Sequence, residues 1–295
     1  MDYRELKEKA KELEKKYKIT YYEVLQRFMF ERMLERISKS KYNENFILKG
    51  GLLLSAIFGI NNRSTQDMDT TIKGIDISKE NMEKVIKEIL NIDLKDGIKF
   101  EYVNVEDIRE DNEYGGDKYN LIGHLENLKI RLSIDISTGD MVTPRELDYE
   151  YPMLFENRKI HIYTYNNETI LAEKIETILH RGIYNSRMKD YYDVYMFVTE
   201  FKDTIDEKIF VRALKNTFIK RNSEEMLVDY KQILDEIKSS ERIKGQWNTY
   251  ARKNIYAKGI EFEDIIVKIR KILDEPIIQN RNNKNRNKEK DAYVR

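Results

Sequence analysis

The spacing of apolar residues predicts a first half that mixes helices with strands. It predicts a surface helix over residues 3–16 and a core-facing helix after the capping box formed by Thr20 and Glu23. Amphipathic spacing predicts another helix over residues 79–91. Short apolar or alternating runs predict strands over residues 46–48, 98–105, 118–125, 128–136 and 159–165.

Beyond residue 165 the pattern predicts helices almost throughout. Residues 168–182 have an apolar stripe at helical spacing, and helical segments are expected over residues 206–219, 223–240, 247–256 and 261–273. Residues 141–158 contain two of the three prolines and predict a linker.

These elements predict an α+β protein in three parts. We expect a mixed sheet with flanking helices over residues 1–165 and a helical domain over residues 166–276. Residues 277–295 are polar and basic, which predicts a disordered tail. Such a tail could attract nucleic acid or simply be solvated, and the sequence leaves both open.

Composition narrows the classes of function. Lysine plus arginine and aspartate plus glutamate both total 53, which argues against a uniformly basic nucleic-acid-binding surface but permits a local basic groove. The sequence has no cysteine, which excludes disulfides, thiolate metal sites and a cysteine nucleophile. A charged start and the lack of a long apolar run predict a cytoplasmic protein without membrane contact.

The stretch from Phe46 to Lys73 has the pattern of a phosphate and metal site. A buried strand leads to Gly50 and Gly51, where backbone N–H groups at the start of an apolar helix can approach a phosphate. A polar loop then leads to Asp67 and Asp69, and carboxylates of this kind suit Mg²⁺. The alternative is that the glycines only form a tight turn between a strand and a helix.

Three motifs together resemble the AbiEii toxins, a branch of the polymerase-beta-like nucleotidyltransferases. They occupy residues 49–51 with 63–69 (KGG, then RSTQDMD), 171–174 with Arg181 (LAEK, then Arg), and 187–193 (RMKDYYD). The resemblance implies a nucleotidyltransferase-like sheet followed by helices. It also implies a metal-dependent enzyme that transfers a nucleotide from an NTP.

The resemblance implies a site with two Mg²⁺ ions held by Asp67, Asp69 and a third carboxylate on a neighbouring strand. It places that third carboxylate at Asp135, which alternation puts on the polar face of the strand over residues 128–136. Asp140 is the weaker competitor. The alternative to a metal ligand is that Asp135 is only an exposed aspartate at the end of its strand.

The resemblance also implies which residues bind the nucleotide and which support them. The implied nucleotide ligands are Gly50, Gly51, Arg63, Ser64, Thr65, Lys174 and Arg181. Asp190 or Asp193 would orient Lys174 or Arg181. Alternatively, the two aspartates pair with Arg187 and Lys189 and only hold their helix.

The implied function is that of a toxin from a type IV toxin–antitoxin or abortive phage infection system. The donor would be GTP or a pyrimidine NTP, and the acceptor an RNA, with tRNA 3′ ends as the leading candidate. A separately encoded antitoxin would act without a stable complex. The alternatives are an NTP-dependent kinase acting on protein or RNA, a non-catalytic nucleotide-binding regulator, and a tRNA-maintenance enzyme.

Overall fold

The computed structural model describes residues 1–63, 65–108 and 116–274. They form two compact units, one made of Met1–Asp140 with Arg145–Asn166, the other of Met141–Pro144 with the chain from Asn167 onward. Ser64 and the predicted tail lie outside the described residues, as does most of the turn expected between residues 111 and 117.

The first unit combines helices with a mixed sheet. Its helices are α1 (Tyr3–Tyr17), α2 (Tyr21–Lys39), α3 (Gly50–Phe58) and α4 (Lys79–Leu90). Its strands are β1 (Phe46–Lys49), β2 (Met68–Ile72), β3 (Ile98–Asp107), β4 (Gly116–Leu125), β5 (Leu128–Thr138), β6 (Leu147–Pro152) and β7 (Lys159–Thr164). Across the described residues the sheet order is β3-β4-β5-β2-β1-β7-β6, with β2–β5 and β1–β7 parallel and the other pairs antiparallel. The predicted α+β class with a mixed sheet is confirmed.

The elements around the centre of the sheet form for local reasons. Strand β5 alternates as its sequence predicts, with Ile130, Leu132, Ile134 and Ile136 buried. Helix α3 begins directly after β1, and its leucines at 52–54 are fully buried, as expected for a helix that is apolar on every side. The start of α3 is therefore fixed next to the central strand β2.

The predicted linker over residues 141–158 is wrong in part, because it contains strand β6. This strand pairs with β7 at the edge of the sheet. Tyr151 is its buried residue, Leu147 is exposed and Pro152 ends it. An edge strand tolerates charged residues and proline, so its sequence need not alternate between apolar and polar residues. Hydrophobic periodicity therefore does not predict β6.

Helix α2 is buried more widely than its apolar stripe predicts. Every residue from Val24 to Ile37 is buried, including five charged ones, Arg27, Glu31, Arg32, Glu35 and Arg36. Each of these side chains is ion-paired: Arg27 with Glu31, Arg32 with Glu35, and Arg36 with Asp96. Pairing within the core allows a charged helix face to be covered.

The second unit is helical. Its helices are α5 (Asn167–Arg181), α6 (Met188–Thr199), α7 (Glu207–Lys220), α8 (Glu224–Val228), α9 (Tyr230–Ser239), α10 (Glu241–Lys253) and α11 (residues 262–274). The helix predicted over residues 223–240 is interrupted at Asp229, which separates α8 from α9. Within the described residues, no helix combines the length and the hydropathy needed to cross a membrane.

Candidate active site

Four charged residues lie side by side across the middle of the sheet. The strand register pairs Lys49 of β1 with Asp69 of β2, Asp69 with Asp135 of β5, and Asp135 with Lys118 of β4. Paired residues on neighbouring strands project from the same face of a sheet. We call Lys49, Asp69, Asp135 and Lys118 the charged row: two carboxylates flanked by two lysines.

The double glycine lies against this row. Gly50 has a φ of +65°, and a methyl group added to it would lie 1.9 Å from Oδ2 of Asp69. The N–H of Gly51 donates a hydrogen bond to the same oxygen over 3.2 Å. The turn therefore requires glycine because the Asp69 carboxylate occupies the space that a side chain would fill.

Thr65 approaches the other glycine. A methyl group on Gly51 would lie 2.4 Å from Oγ1 of Thr65. This hydroxyl donates to the backbone carbonyl of Asp67 over 3.3 Å. The structure thus brings Gly50, Gly51, Thr65 and Asp69 together. Arg63 is 4 % exposed and buried in the preceding loop, so its guanidinium does not lie on an open surface.

Asp67 and Asp135 converge on one ammonium group. Nζ of Lys118 lies 3.0 Å from Oδ1 of Asp135 and 3.8 Å from Oδ1 of Asp67. Burial raises the pKa of the Asp135 carboxyl, and Asp69 and Asp67 raise it further against the opposing effect of Lys118. Asp67 and Asp69 each repel the charge on Asp135, so the cluster attracts a cation.

Asp140, the competing third carboxylate, binds elsewhere. Its Oδ2 lies 2.5 Å from Nζ of Lys49 and accepts a 2.8 Å hydrogen bond from Oγ of Ser137. Burial alone would raise the pKa of Asp140, but Lys49 and Ser137 hold it at about 2. The register places Asp135, not Asp140, beside Asp69.

Within the second unit, the structure brings Lys174, Asp190 and Asp193 together. Nζ of Lys174 on α5 lies 2.5 Å from Oδ1 of Asp190 and 2.9 Å from Oδ2 of Asp193, both on α6. Arg187 also donates to Asp190, over 3.0 Å. Asp190 thus pairs both with Lys174, as the orienting role expects, and with Arg187, as the helix-holding role expects, and the role of the two aspartates stays a prediction. Arg181 lies at the end of α5.

Removal of the Asp190 charge should destabilise the protein by about 3 kcal/mol, because Lys174 and Arg187 lose a buried partner. Although burial opposes it, these two cations hold the pKa of Asp190 at about 2, below its ordinary 3.8. The stabilisation is therefore complete above the ordinary pKa and is lost as the pH falls through about 2.

Asp190→Asn should thus show low stability at neutral pH and a weaker further loss in acid than the parent protein. Urea unfolding followed by the fluorescence of Trp247 measures this, because this tryptophan is buried in the same unit. Asp203→Asn, which removes the same charge from an exposed position, is the control. Equal acid sensitivity of Asp190→Asn and the parent would contradict the assignment.

The carboxylates fit a divalent cation in chemistry and charge. Oxygen ligands are those that Mg²⁺ prefers, and Asp67 and Asp135 already converge on a cation, the ammonium of Lys118. The buried Oδ1 of Asp135 faces only this ammonium among the described side chains that ion-pair with it, so a cation already lies at the oxygen that a metal would use. No group of three His, Cys, Asp or Glu residues within the described parts of the chain is already arranged around one position, so binding requires side chains to turn.

Lys118 and the role of Lys49 in the charged row were not predicted, although a signal for Lys118 existed. The expected strands over residues 118–125 and 128–136 leave two residues for a hairpin turn. Counting back from the closing pair Leu125–Leu128 brings Lys118 opposite Asp135. The signal for Lys49 is weaker, because its pairing with Asp69 depends on a longer connection.

Comparison with protein families places the chain in a known family. The family model described as "Nucleotidyl transferase AbiEii toxin, Type IV TA system" matches residues 32–268. The chain belongs to the AbiEii family. The match includes both the charged row and the Lys174 cluster, and the resemblance seen in the motifs is confirmed. The AbiEii description implies a nucleotide substrate and a separate antitoxin.

Solved structures share the fold of this chain. JHP933 from Helicobacter pylori is 10 % identical, with a TM-score of 0.51 over 90 % of this chain and 97 % of that one. A candidate nucleotidyltransferase from H. pylori is 12 % identical, with a TM-score of 0.50 over 88 % and 99 %. At these identities the likeness shows a common fold. No curated protein matches the sequence.

Proposed function

We propose that this AbiEii protein is an Mg²⁺-dependent toxin that transfers a nucleotide from an NTP to RNA and thereby arrests growth. The observation that carries the proposal is the pairing of Asp69 with Asp135, together with the contact of Asp69 with the Gly50–Gly51 turn. A carboxylate pair next to the N-terminus of a helix offers a metal platform and a phosphate site in one place.

The aspartates, the glycine turn and Thr65 of the first unit each have a part in the proposed reaction. Asp67, Asp69 and Asp135 would hold Mg²⁺, in a site that we expect to take two ions. When bound, Mg²⁺ would lower the pKa of the acceptor hydroxyl and neutralise the leaving pyrophosphate. The first N–H groups of α3 and the hydroxyl of Thr65 would bind the triphosphate.

Lys174 stays a predicted phosphate ligand, supported by its position within the second unit. Asp190 and Asp193 hold its ammonium from two sides, and its side chain is 14 % exposed. A lysine fixed in this way loses little further conformational entropy when it binds a phosphate. The roles of Arg63, Ser64 and Arg181 as nucleotide ligands also stay predictions. The burial of Arg63 argues against a direct contact with a nucleotide.

The acceptor that we propose is RNA, with tRNA 3′ ends first. The acceptor oxygen bonds to the α-phosphorus as the bond to pyrophosphate breaks, so no covalent enzyme intermediate is needed. The donor is GTP or a pyrimidine NTP. We also propose a role in abortive phage infection, held in check by a separately encoded antitoxin without a stable complex.

A labelling experiment tests the transfer. The purified full chain is incubated with total tRNA, Mg²⁺ and each α-labelled NTP in turn, in parallel with γ-labelled NTPs and with Asp69→Asn as the inactive control. We expect α-label in RNA from one NTP, absent with the control. Label from the γ-position alone would instead indicate a kinase. No label of either kind, from a protein that binds NTP, would indicate a non-catalytic regulator.

A further inference from the structure

The most specific feature that the proposed reaction does not use is Lys118 at the end of the charged row. Its backbone pairs with that of Asp135 in the β4–β5 hairpin, so its side chain stems from the strand next to the carboxylates. The position is set by a two-residue turn and a continuous register from Leu125–Leu128 onward. The pairing of β4 with β5 therefore places Lys118 in the site.

The ammonium of Lys118 lies between two of the carboxylates that would hold a divalent ion. It is 3.0 Å from Asp135 and 3.8 Å from Asp67, on the side of the row away from Lys49. Two cations cannot share this position, because their repulsion adds to the steric conflict. The Lys118 side chain is 30 % exposed, so it can turn toward solvent when displaced.

Lys49 at the other end of the row is placed differently. Its ammonium pairs with Asp140 at 2.5 Å, and Asp140 is also held by Ser137. Lys49 thus has a buried carboxylate of its own, whereas Lys118 shares those of the proposed metal site. Of the two lysines, Lys118 is the one whose charge competes with a metal.

We infer that Lys118 is a tethered cation that competes with the divalent metal for Asp135 and Asp67. This inference depends on the proposed function, since it concerns the same carboxylates. Lys118 acts as a positioning residue: it keeps two mutually repelling carboxylates converged and lowers the affinity of the free protein for metal. The metal must displace the ammonium to bind both carboxylates.

Titration of the full chain with Mn²⁺ in the absence of nucleotide tests the inference, with free Mn²⁺ followed by electron paramagnetic resonance. Lys118→Met should lower the Kd for Mn²⁺ about tenfold, because removal of a unit charge this close to a divalent ion is worth at least that factor at a partly exposed site. Lys118→Gln should act in the same direction, and Lys118→Arg should keep the parent affinity.

The control is Lys129→Met, which removes the same charge from an exposed position on β5 and should leave the Kd unchanged. A tighter Kd in Lys118→Met is a result that loss of packing alone would not produce. An unchanged or weaker Kd overturns the inference but leaves the proposed metal site in place. If neither the parent nor any variant binds Mn²⁺ while circular dichroism shows all of them folded, the metal-dependent function falls as well.

Discussion

Asp69→Asn should reduce nucleotide transfer on the order of 10³-fold and relieve growth arrest while the protein stays folded. Asp69 lies at the centre of the charged row, between Lys49 and Asp135 in the strand register. Loss of a metal ligand removes several kcal/mol of charge stabilisation from the transition state, and about 4 kcal/mol corresponds to roughly 10³ in rate.

Asparagine is the informative replacement because it separates charge from shape. Its side-chain oxygen can still accept the hydrogen bond that Gly51 donates to Asp69 over 3.2 Å. It has the same number of heavy atoms, so the close approach to Gly50 is unchanged. We therefore expect a thermal midpoint near that of the parent, and the loss of activity can be attributed to the missing charge.

Asp148→Asn is the matched control for this experiment. It makes the same chemical change on the same sheet, at an exposed position on β6 where Asp148 pairs with His161. Incorporation of α-label into RNA and colony formation after induction are measured for both variants. Transfer by Asp69→Asn at the level of Asp148→Asn would show that the charged row is not the catalytic centre.

The elements that build the site could be predicted from the sequence because their signals are local. Two glycines after a short apolar strand determine the tight start of α3. The alternation along β5 identifies Asp135 as lying on the polar face. The local sequence does not show which strands are neighbours in the sheet. The order of the strands determines that Asp69 pairs with Asp135, while Asp140 pairs with Lys49.

The features that were missed share a physical reason: they depend on partners distant in sequence. Strand β6 has weak periodicity and exists because β7 supplies its hydrogen bonds. The charged residues of α2 look solvent-facing in a sequence, since the energy of burying a charge is offset only by a partner. Glu35, for example, is paired with Arg158, which lies 123 positions away.

Glu31→Ala should destabilise the first unit by about 3–5 kcal/mol, the cost of leaving a buried charge without its partner. Glu31 is fully buried, and Arg27 donates to it over 3.1 Å. Its two oxygens also accept the backbone N–H of Leu154, over 3.0 and 3.1 Å. Alanine would leave both donors unsatisfied in the core.

The expected loss does not mean that the ion pair is a net source of stability. Burial raises the pKa of the Glu31 carboxyl, and Arg27 offsets this only in part. Keeping the Glu31 carboxylate ionised in the core therefore costs free energy. Arg27→Met combined with Glu31→Leu removes both charges and should recover much of the loss, leaving about 1–3 kcal/mol for the unpaired Leu154 N–H and the lost Arg27–Ser55 hydrogen bond.

Urea unfolding followed by far-ultraviolet circular dichroism measures these variants, because α2 is a 19-residue helix of the first unit, whereas Trp247 belongs to the other unit. The control is Glu8→Ala, which breaks an ion pair between two exposed side chains, Glu8 at 72 % and Arg4 at 87 %. This change should cost less than about 1 kcal/mol of unfolding free energy. If Glu31→Ala costs no more than Glu8→Ala, the buried network on α2 does not hold the sheet unit together. A double variant less stable than Glu31→Ala would show instead that Arg27 stabilises the core through Ser55 and the ring of Tyr151, independently of Glu31.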